Sequence, residues 1–338
     1  MLNFTLLKKS HILFLLVILI YGCSHEPQLK VYKKFRIVMD TVVTITVVSP
    51  SEKDAETAIN AAFSVIERLD KSLSVFSPDS EISKINKSAG VDFVKVSEDT
   101  YQLINAAIKI AQVSDGAFDP TIGPIVNLWD FVKKIKPHPD KIRDRLSLVN
   151  YKDVLFDDSD MSVKLKNKGM ALDLGGIAKG FAADKAVLSL KTSGIKAGIV
   201  ACAGDIKVFG KKPDMKNWLV GIRSPRGKPE DLNAVLSLND LAVSTSGDYE
   251  RYFIINDIRY HHLLDPKTGS PAIGFQSVSI VNTQGVNTDS LSTAVFVLGP
   301  QKGLELVNKM KLMAYMVYSD GSVYVTDNLK ELIVPMDK

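Results

Sequence analysis

The stretch ALDLGGIAKGFAADKAVLSLKTSG, residues 171–194, contains the clearest local structural signal in the chain. Its apolar start is typical of a strand, Gly175-Gly176 predicts a turn, and the segment 177–191 is typical of a helix that Gly194 ends. Such a strand–turn–helix unit aims free backbone N–H groups and the positive end of the helix dipole at an anion. The unit is compatible with a phosphate or pyrophosphate site, but by itself a Gly-Gly before a helix is more often a close-packed turn without a ligand.

Short apolar runs surround this unit and predict further strands, at 37–48, 163–165, 197–200, 218–222, 234–238 and 276–281, with 171–174 in the unit itself. Helical spacing of apolar residues predicts helices at 52–72, 101–113, 290–298 and 302–311, and the turn at 78–81 predicts a further short helix capped by Asp79 or Ser80. Strands and helices follow one another without regular β–α alternation, and no internal repeat is visible. The predicted fold class is therefore α+β, in one interlocked body, and not a doubly wound sheet.

Composition excludes several classes of protein. The 338 residues are 46% hydrophobic and 24% charged, as in ordinary folded domains. A formal net charge of +4 is too small to indicate a nucleic-acid partner. The sequence contains no zinc-ligand spacing, P-loop, serine-hydrolase elbow or paired-cysteine redox motif.

The N-terminus is typical of an export signal. Lys8 and Lys9 precede an apolar run at 12–21 that is about half as long as the roughly 20 residues needed to span a bilayer. The run ends in Gly22-Cys23, and a small residue followed by cysteine resembles a bacterial lipobox. We expect residues 1–22 to be a lipoprotein signal peptide and Cys23 to be lipidated; an ordinary signal peptide with a coincidental cysteine is the alternative.

This expectation sets the domain boundaries and the location. Residues 23–36 are predicted to be a basic, lipid-anchored tether that suits an anionic membrane surface, and residues 37–338 the catalytic domain. The protein is expected to be exported and anchored to the bacterial cell envelope membrane on its periplasmic side. If Cys23 is lipidated, Cys202 has no second cysteine with which to form a disulfide, and we expect it to be a small core residue.

Residues 288–293, TDSLST, open a predicted helix and offer oxygen ligands. Asp289 and Thr293 are four residues apart, so their oxygens lie on one helix face, one turn from each other. Magnesium binds carboxylate, hydroxyl and carbonyl oxygens, usually together with substrate phosphates. The segment is compatible with a magnesium site, but a helix cap at Thr288 or Asp289 explains the same residues.

Two further segments are candidates for a site. His261 and His262 end a predicted strand, where adjacent side chains point to opposite faces, so one of them at most enters a given site. A catalytic role and a structural, hydrogen-bonded role are equally compatible with the pattern. The loop GAFDPTIGP, 116–124, is rigid and apolar, which is typical of the wall of a planar ligand's pocket and also of a loop packed on a core.

Together these segments resemble the family of FAD:protein FMN transferases, the ApbE-type flavin transferases. The resemblance covers nearly the whole chain after the signal peptide. The segments that carry it occur in family order: MDT (39–41), LSVF (73–76), DSEI (79–82), GAFDP (116–120), NLW (127–129), LDLGGIAKG (172–180), AGDI (203–206), TSGDY (245–249), YHH (260–262), DPKTG (265–269) and TD (288–289). The chain departs from the family pattern at Asp40 and Ala203, where glycine is common.

The resemblance implies an α+β body with antiparallel-rich sheets, a T-fold-like core and an FAD cleft between two halves. It implies that magnesium is the metal, held by the Gly176 carbonyl, Asp289 and Thr293 with FAD phosphates. It also implies a set of FAD contacts: Met39, Phe76, Ala117, Phe118 and Asp119 around the flavin and adenine, Asp173 and Lys179 near the glycine turn, and Leu264 on the nucleotide.

The implied reaction is attack by a threonine hydroxyl of another protein on the FMN-side phosphorus of FAD, with AMP leaving. His262 is the first candidate for the base that takes the hydroxyl proton, and Asp289 is the second. The implied acceptors are redox proteins with a motif rich in Ser, Gly, Ala and Thr. Two alternatives use the same residues: an FAD pyrophosphatase, in which water replaces the threonine, and a flavin-binding lipoprotein without chemistry.

Overall fold

The computed structural model describes residues 28–228 and 230–336. The strands are β1 (Lys30–Val38), β2 (Thr41–Ser49), β3 (Val94–Lys95), β4 (Val154–Asp157), β5 (Ser162–Leu165), β6 (Ala197–Cys202), β7 (Asp205–Phe209), β8 (Trp218–Arg223), β9 (Leu232–Leu238), β10 (Ala242–Gly247), β11 (Tyr252–Ile255), β12 (Ile258–His261), β13 (Phe275–Asn282), β14 (Met313–Tyr318), β15 (Val323–Val325) and β16 (Ile333–Val334). The helices are α1 (Glu52–Leu73), α2 (Glu81–Lys87), α3 (Glu98–Val113), α4 (Gly123–Val126), α5 (Pro139–Leu146), α6 (Ala178–Thr192), α7 (Gly285–Met310) and α8 (Asp327–Lys330).

An eight-stranded antiparallel sheet forms the centre, in the order β1-β2-β6-β7-β10-β13-β14-β15. Smaller sheets have the orders β16-β9-β8 and β3-β5-β4, and β11 pairs with β12 in a hairpin. Helices and antiparallel sheets are mixed, as the α+β prediction requires.

Both faces of the central sheet are covered for most of its width. The main core lies between one face and the helices α1, α6 and α7, where fully buried side chains such as Phe63, Ile45 and Phe296 meet. A second core, which includes Trp218 and Leu236, lies between the other face and the small sheet β16-β9-β8. Cys202 is a buried free cysteine of the main core, as expected.

The structure corrects three expectations. The segment 37–48 is a hairpin and not one strand, because Met39 and Asp40 both take a left-handed backbone (φ 55°) and reverse the chain. Residues 30–36, expected in the tether, belong to β1, because their backbone pairs with β2. Residues 171–174 are not a strand: only Ala171 makes an isolated bridge, to Ile122, since the backbone of Leu172 bonds with the Asn86 side chain.

The helix predictions are confirmed with small extensions. Ser51, Ser80 and Ser97 accept hydrogen bonds from the first turns of α1, α2 and α3. The segments 290–298 and 302–311 lie in α7, which kinks at Gly299 (φ 75°) just before Pro300. No helix within the described residues is long and apolar enough to span a membrane.

One close helix contact positions the residues discussed below. A Cβ added at Gly180 in α6 would lie 2.1 Å from the Gly285 carbonyl oxygen and 2.7 Å from the Asp289 Cβ in α7. Only a residue without a side chain fits there. The glycine therefore lets the N-terminal turns of α6 and α7 meet backbone to backbone.

Candidate active site

The candidate site lies at one end of the central sheet. The turn at Met39-Asp40, the turn at Ala203-Gly204 and the end of β10 at Ser246 are neighbours there, because Val43 pairs with Cys202 and Val243 with Ile206. The Ala203 N–H donates to the Val42 carbonyl across 3.4 Å. Ala203, like Asp40, has a left-handed φ of 55°, which explains why glycine is common at both positions.

A charged cluster occupies this end of the sheet. The Lys179 Nζ, from the first turn of α6, donates to the Asp205 carboxylate at 2.5 Å and lies 3.9 Å from the Asp289 carboxylate. Both acids are buried, at 5% and 4% exposure. Burial alone would lower the pKa of Lys179, but the charges of Asp205 and Asp289 outweigh it and raise the pKa. The lysine is therefore charged at any physiological pH.

The surroundings of the buried Asp289 carboxyl group disfavour its charged form. Burial, and next the charge of Asp205, raise the pKa of Asp289, while Lys179 and the Gly180 N–H oppose the rise. The Gly180 N–H donates to its Oδ2 at 2.9 Å. An additional cation beside Asp289 would lower the pKa of the carboxyl group, because it favours the charged carboxylate.

Oxygen ligands converge next to Asp289. The Thr293 Oγ1 lies 3.0 Å from the Ser246 Oγ, and Ser246 also lies 2.8 Å from the Ser292 Oγ. A Cβ at Gly176 would lie 3.3 Å from both the Thr293 Oγ1 and the Phe118 ring. Gly176 of the two-glycine turn and Thr293 of α7 are therefore in contact, as the predicted metal site requires.

The donor set fits magnesium. A buried carboxylate, a hydroxyl and a backbone carbonyl are the hard oxygen ligands that Mg²⁺ prefers, and few protein ligands leave positions for substrate phosphates. Among the described residues, no three acidic, histidine or cysteine side chains form a metal cage by themselves. Asp289, Thr293 and Gly176 remain the predicted ligands: Thr293 lies next to Gly176, and Asp289 is one turn before Thr293 on the same helix.

The loop that contains the remaining predicted contacts is rigid. The Asp119 carboxylate accepts hydrogen bonds from the Thr121 N–H, the Thr121 hydroxyl and the Tyr151 N–H, at 2.8, 2.6 and 3.0 Å. Burial raises the pKa of Asp119, and these bonds oppose the rise. The Asp119 carboxylate therefore shapes the loop, while the adjacent Ala117 and Phe118 are buried, with Phe118 against Gly176.

The loop 116–121 is also tied to the glycine turn. The Asp173 N–H donates to the Pro120 carbonyl at 2.8 Å, and the Asp173 Oδ1 accepts from the Gly175 N–H at 2.8 Å. These bonds fix the two-glycine turn against the loop without a regular strand. The predicted contacts Asp173, Phe118 and Gly176 are therefore neighbours, with Phe118 buried behind the turn.

The two histidines have different surroundings. The His261 ring nitrogen Nε2 lies 2.9 Å from the Ala272 carbonyl, which is the structural role that the sequence left open. The Nδ1 atoms of both histidines are buried without a hydrogen-bond partner among the described residues, but the His262 ring is partly exposed whereas His261 is buried. Burial, and next the charge of Arg251, lower the pKa of His262 to about 3, so the ring is neutral and holds a free acceptor position.

The other predicted FAD contacts divide between surface and core. Phe76 is 81% exposed and lines a cavity of about 470 Å³ together with Asp40, Asp70, Lys71, Ser74 and Ser77. Met39, next to Asp40, packs partly buried against the main core. Leu264 is buried in a third apolar cluster with Trp129, Phe253 and Ile142, so its side chain is largely covered by protein.

Sequence reasoning missed two members of the site. Asp205, in the segment AGDI, is the closest partner of Lys179, and Ser246, in the segment TSGDY, contacts Thr293. Both segments carried the family resemblance, but neither has a spacing that indicates chemistry by itself. A polar residue at the end of an otherwise apolar strand was the available signal.

Comparison with known proteins identifies the family. The ApbE family model matches residues 39–317. The chain is 32% identical over 334 residues to the FAD:protein FMN transferase of Treponema pallidum, covering 94% of this chain and 92% of that protein.

Solved structures agree with this match. The ApbE protein of Thermotoga maritima has 36% identity and a TM-score of 0.84, and the alignment covers 90% of this chain and 100% of that one. The flavinyl transferase ApbE of Pseudomonas stutzeri has 30% identity and a TM-score of 0.81, with 90% and 97% covered. The family-model match, the sequence relative and the two structures agree, so the chain belongs to the ApbE family.

Proposed function

We propose that this protein transfers FMN from FAD to a threonine hydroxyl of another protein, forming a phosphoester and releasing AMP. The main support is that Lys179, Asp289, Thr293 and Gly176 converge at one end of the sheet. In addition, relatives of the chain are named FAD:protein FMN transferases. This site supplies one lysine charge and hard oxygen ligands beside a helix N-terminus, which is the equipment for binding a pyrophosphate.

The residues of the chain position the reactants. Lys179 faces the pyrophosphate of FAD, and Asp205 fixes the lysine through the 2.5 Å bond. The first N–H groups of α6, which the sequence predicted to be free, donate to Leu174 and Asp289, so α6 contributes only its dipole.

The exposed Phe76 and the partly buried Met39 offer apolar surface for the two ring systems, and the buried Phe118 supports the glycine turn from behind. The threonine oxygen bonds to the FMN-side phosphorus as the bond to the bridging oxygen breaks, and AMP leaves with that oxygen.

A magnesium ion is part of the proposal. Asp289, Thr293 and the Gly176 carbonyl would hold it. When bound, the ion neutralises charge that builds on the pyrophosphate oxygens.

His262 is proposed as the acceptor of the threonine proton. Its ring is neutral and partly exposed, and because Nδ1 is buried, Nε2 is the nitrogen that can accept a hydrogen bond from a hydroxyl of another protein. The negative phosphate that arrives with FAD favours a protonated imidazole, which raises the basicity of the ring when it is needed. Asp289 is the second candidate, but the proposed metal would occupy its oxygens.

We also propose the cellular setting. Residues 1–22 act as a lipoprotein signal peptide and Cys23 carries the lipid; both lie outside the described residues. The enzyme then works on the periplasmic side of an envelope membrane, on redox proteins with a Ser/Gly/Ala/Thr-rich motif. Support comes from the charge, length and final Gly-Cys of the N-terminal segment.

The test is the intact mass of an acceptor domain after incubation with enzyme, FAD and magnesium. A mass gain of one FMN that disappears with EDTA or with Asp289→Asn supports the proposal. Asp327→Asn is the matched control, because Asp327 is an exposed acid in a surface ion pair with Lys330. Free FMN with an unmodified acceptor indicates the pyrophosphatase instead, and unchanged FAD indicates a binding protein.

A further inference from the structure

The outer face of the β1–β2 hairpin is unusually apolar for an uncovered surface. Ile37 is 81% exposed, Phe35 70%, Val42 53% and Val31 51%. Alternate residues of a strand point to the same face of the sheet, and Ile37 is paired with Val42 across the hairpin. These four side chains therefore lie on the same side. We call this set, with Lys33, the hairpin outer face.

The opposite side of the hairpin is fully used by the fold. Lys34 and Arg36 point toward α1, where they pair with Glu56 and Glu67 at 2.5 and 2.7 Å. Val43 and Ile45 are completely buried in the main core. The small sheet β16-β9-β8 reaches the far end of the outer side, where Val48 packs in the second core, but it leaves the rest uncovered.

The hairpin outer face carries a positive charge, that of Lys33. Lys33 lies between Val31 and Phe35, and no acid within the described part of the chain approaches it to salt-bridge distance. Exposed apolar side chains with an interspersed lysine are typical of surfaces that lie in the interface of an anionic bilayer. An isolated apolar patch of this kind marks a binding surface in soluble proteins.

The position of the face in the chain favours a membrane over a protein partner. Cys23 precedes Gln28, the first described residue, by five positions, which spans at most about 18 Å in a fully extended chain. A lipid at Cys23 would therefore hold the beginning of β1 close to the bilayer surface. This step rests on the proposed anchor.

We propose that the hairpin outer face lies on the anionic membrane surface and orients the anchored enzyme. Phe35 and Ile37 enter the headgroup region, and Lys33 contacts lipid phosphates. The Met39-Asp40 turn, at the end of the same hairpin, then lies near the membrane, so the FAD site opens toward acceptors that are themselves held at the membrane.

The test uses the chain from Ser24 onward, without lipid, because it keeps both strands of the hairpin and all residues that match the family model, 39–317. Cosedimentation with vesicles of phosphatidylcholine containing phosphatidylglycerol measures binding. The expected result is weak binding that falls with salt, is absent for pure phosphatidylcholine, and drops on the order of tenfold in the double variant Phe35→Ser, Ile37→Ser. The control variant Leu188→Ser, Leu219→Ser removes similarly exposed side chains elsewhere and is expected to bind normally.

Three outcomes overturn the proposal. One is no vesicle binding by the wild-type chain, and another is equal binding by the hairpin and control variants. The third is a change of oligomeric state in the hairpin variant, measured by sedimentation velocity, which would assign the face to a second copy. FMN transfer to a soluble acceptor, measured in parallel, reports on the proposed function separately, because it requires no membrane.

Discussion

Two buried aspartates, Asp119 and Asp289, show how the same side chain serves different purposes in two regions of the molecule. Burial raises the pKa of both carboxyls. Asp119 accepts three hydrogen bonds from Thr121 and Tyr151, which together hold a loop. Asp289 accepts one good bond, from Gly180, and faces another acid and a lysine.

The difference indicates that Asp119 stabilises the fold and that Asp289 takes part in the chemistry. The Asp119 carboxylate is nearly saturated by neutral donors, so its loss mainly affects the fold. Asp289 is held in position but remains short of positive charge, which suits a residue that binds a cation with substrate. The predictions below test this division.

The largest expected effect is that of Asp289→Asn. Asparagine keeps an oxygen for the Gly180 N–H but loses the charge, so we expect transfer to fall by about 10²–10³-fold. The free energy of unfolding should change less than in the Asp119 variant below, since Lys179 keeps Asp205. Single-turnover FMN transfer and urea unfolding measure the two effects. A variant that unfolds readily but keeps normal kcat would reverse the assigned roles.

The next prediction concerns a substitution that displaces Asp289 without replacing it. In Gly180→Ala, the new methyl group would collide with Gly285 and Asp289, so we expect a loss of about 2–4 kcal/mol in unfolding free energy and reduced transfer. Gly204→Ala is the control, because its added Cβ meets nothing closer than 3.8 Å. Equal stabilities of the two variants would contradict the close contact of α6 and α7.

Asp119→Asn should have the opposite profile to Asp289→Asn. An amide group cannot accept all three bonds, so we expect a loss of about 1–3 kcal/mol in unfolding free energy. Transfer by the folded variant should fall less than in Asp289→Asn. Urea unfolding and kcat measured below the transition separate the two effects; a kcat loss as large as that of Asp289→Asn would place the Asp119 carboxylate in the chemistry.

The smallest effect is a pH dependence from His262. Its folded pKa, about 3, lies below the unfolded value near 6.5, so the unfolded state binds the proton more tightly. Its contribution to stability is complete above about pH 6.5 and is lost as pH falls toward 3. We expect wild-type protein to lose on the order of 1 kcal/mol more than His262→Gln between pH 7 and pH 5.

The comparison of the two pH series is essential here. Asp119 and Asp289 have raised pKa values, so their contributions change with pH in the opposite direction. The difference between wild type and His262→Gln isolates the histidine. Parallel unfolding curves at both pH values would show that the ring is not buried as a neutral group.

The sequence was sufficient for much of the fold because the signals were local. Apolar spacing located α1 and α3, and the turn with Asp79 or Ser80 as cap located the beginning of α2, where the structure selects Ser80. The hairpin of β1 and β2 was missed, since Met39-Asp40 contains no glycine, the residue that most clearly indicates a two-residue hairpin turn. Residues 171–174 have strand composition, but the Asn86 side chain takes the backbone bonds that a neighbouring strand would have made.

The site was predictable only in part, for a related reason. Asp289 and Thr293 share a helix face, so their spacing was informative. The approach of Thr293 to Gly176 depends on the close packing of α6 and α7 at Gly180, which no local pattern encodes. Asp205 and Ser246 come to the site through strand register, and register is a property of the whole sheet.

The most direct test of the central claim is the stoichiometry of AMP released to FMN attached, measured in one reaction with a threonine-containing acceptor domain. The account predicts one AMP for each FMN on the acceptor, and neither product when the acceptor threonine is replaced by valine. AMP and free FMN that accumulate without attachment, at the same rate with either acceptor, would contradict it.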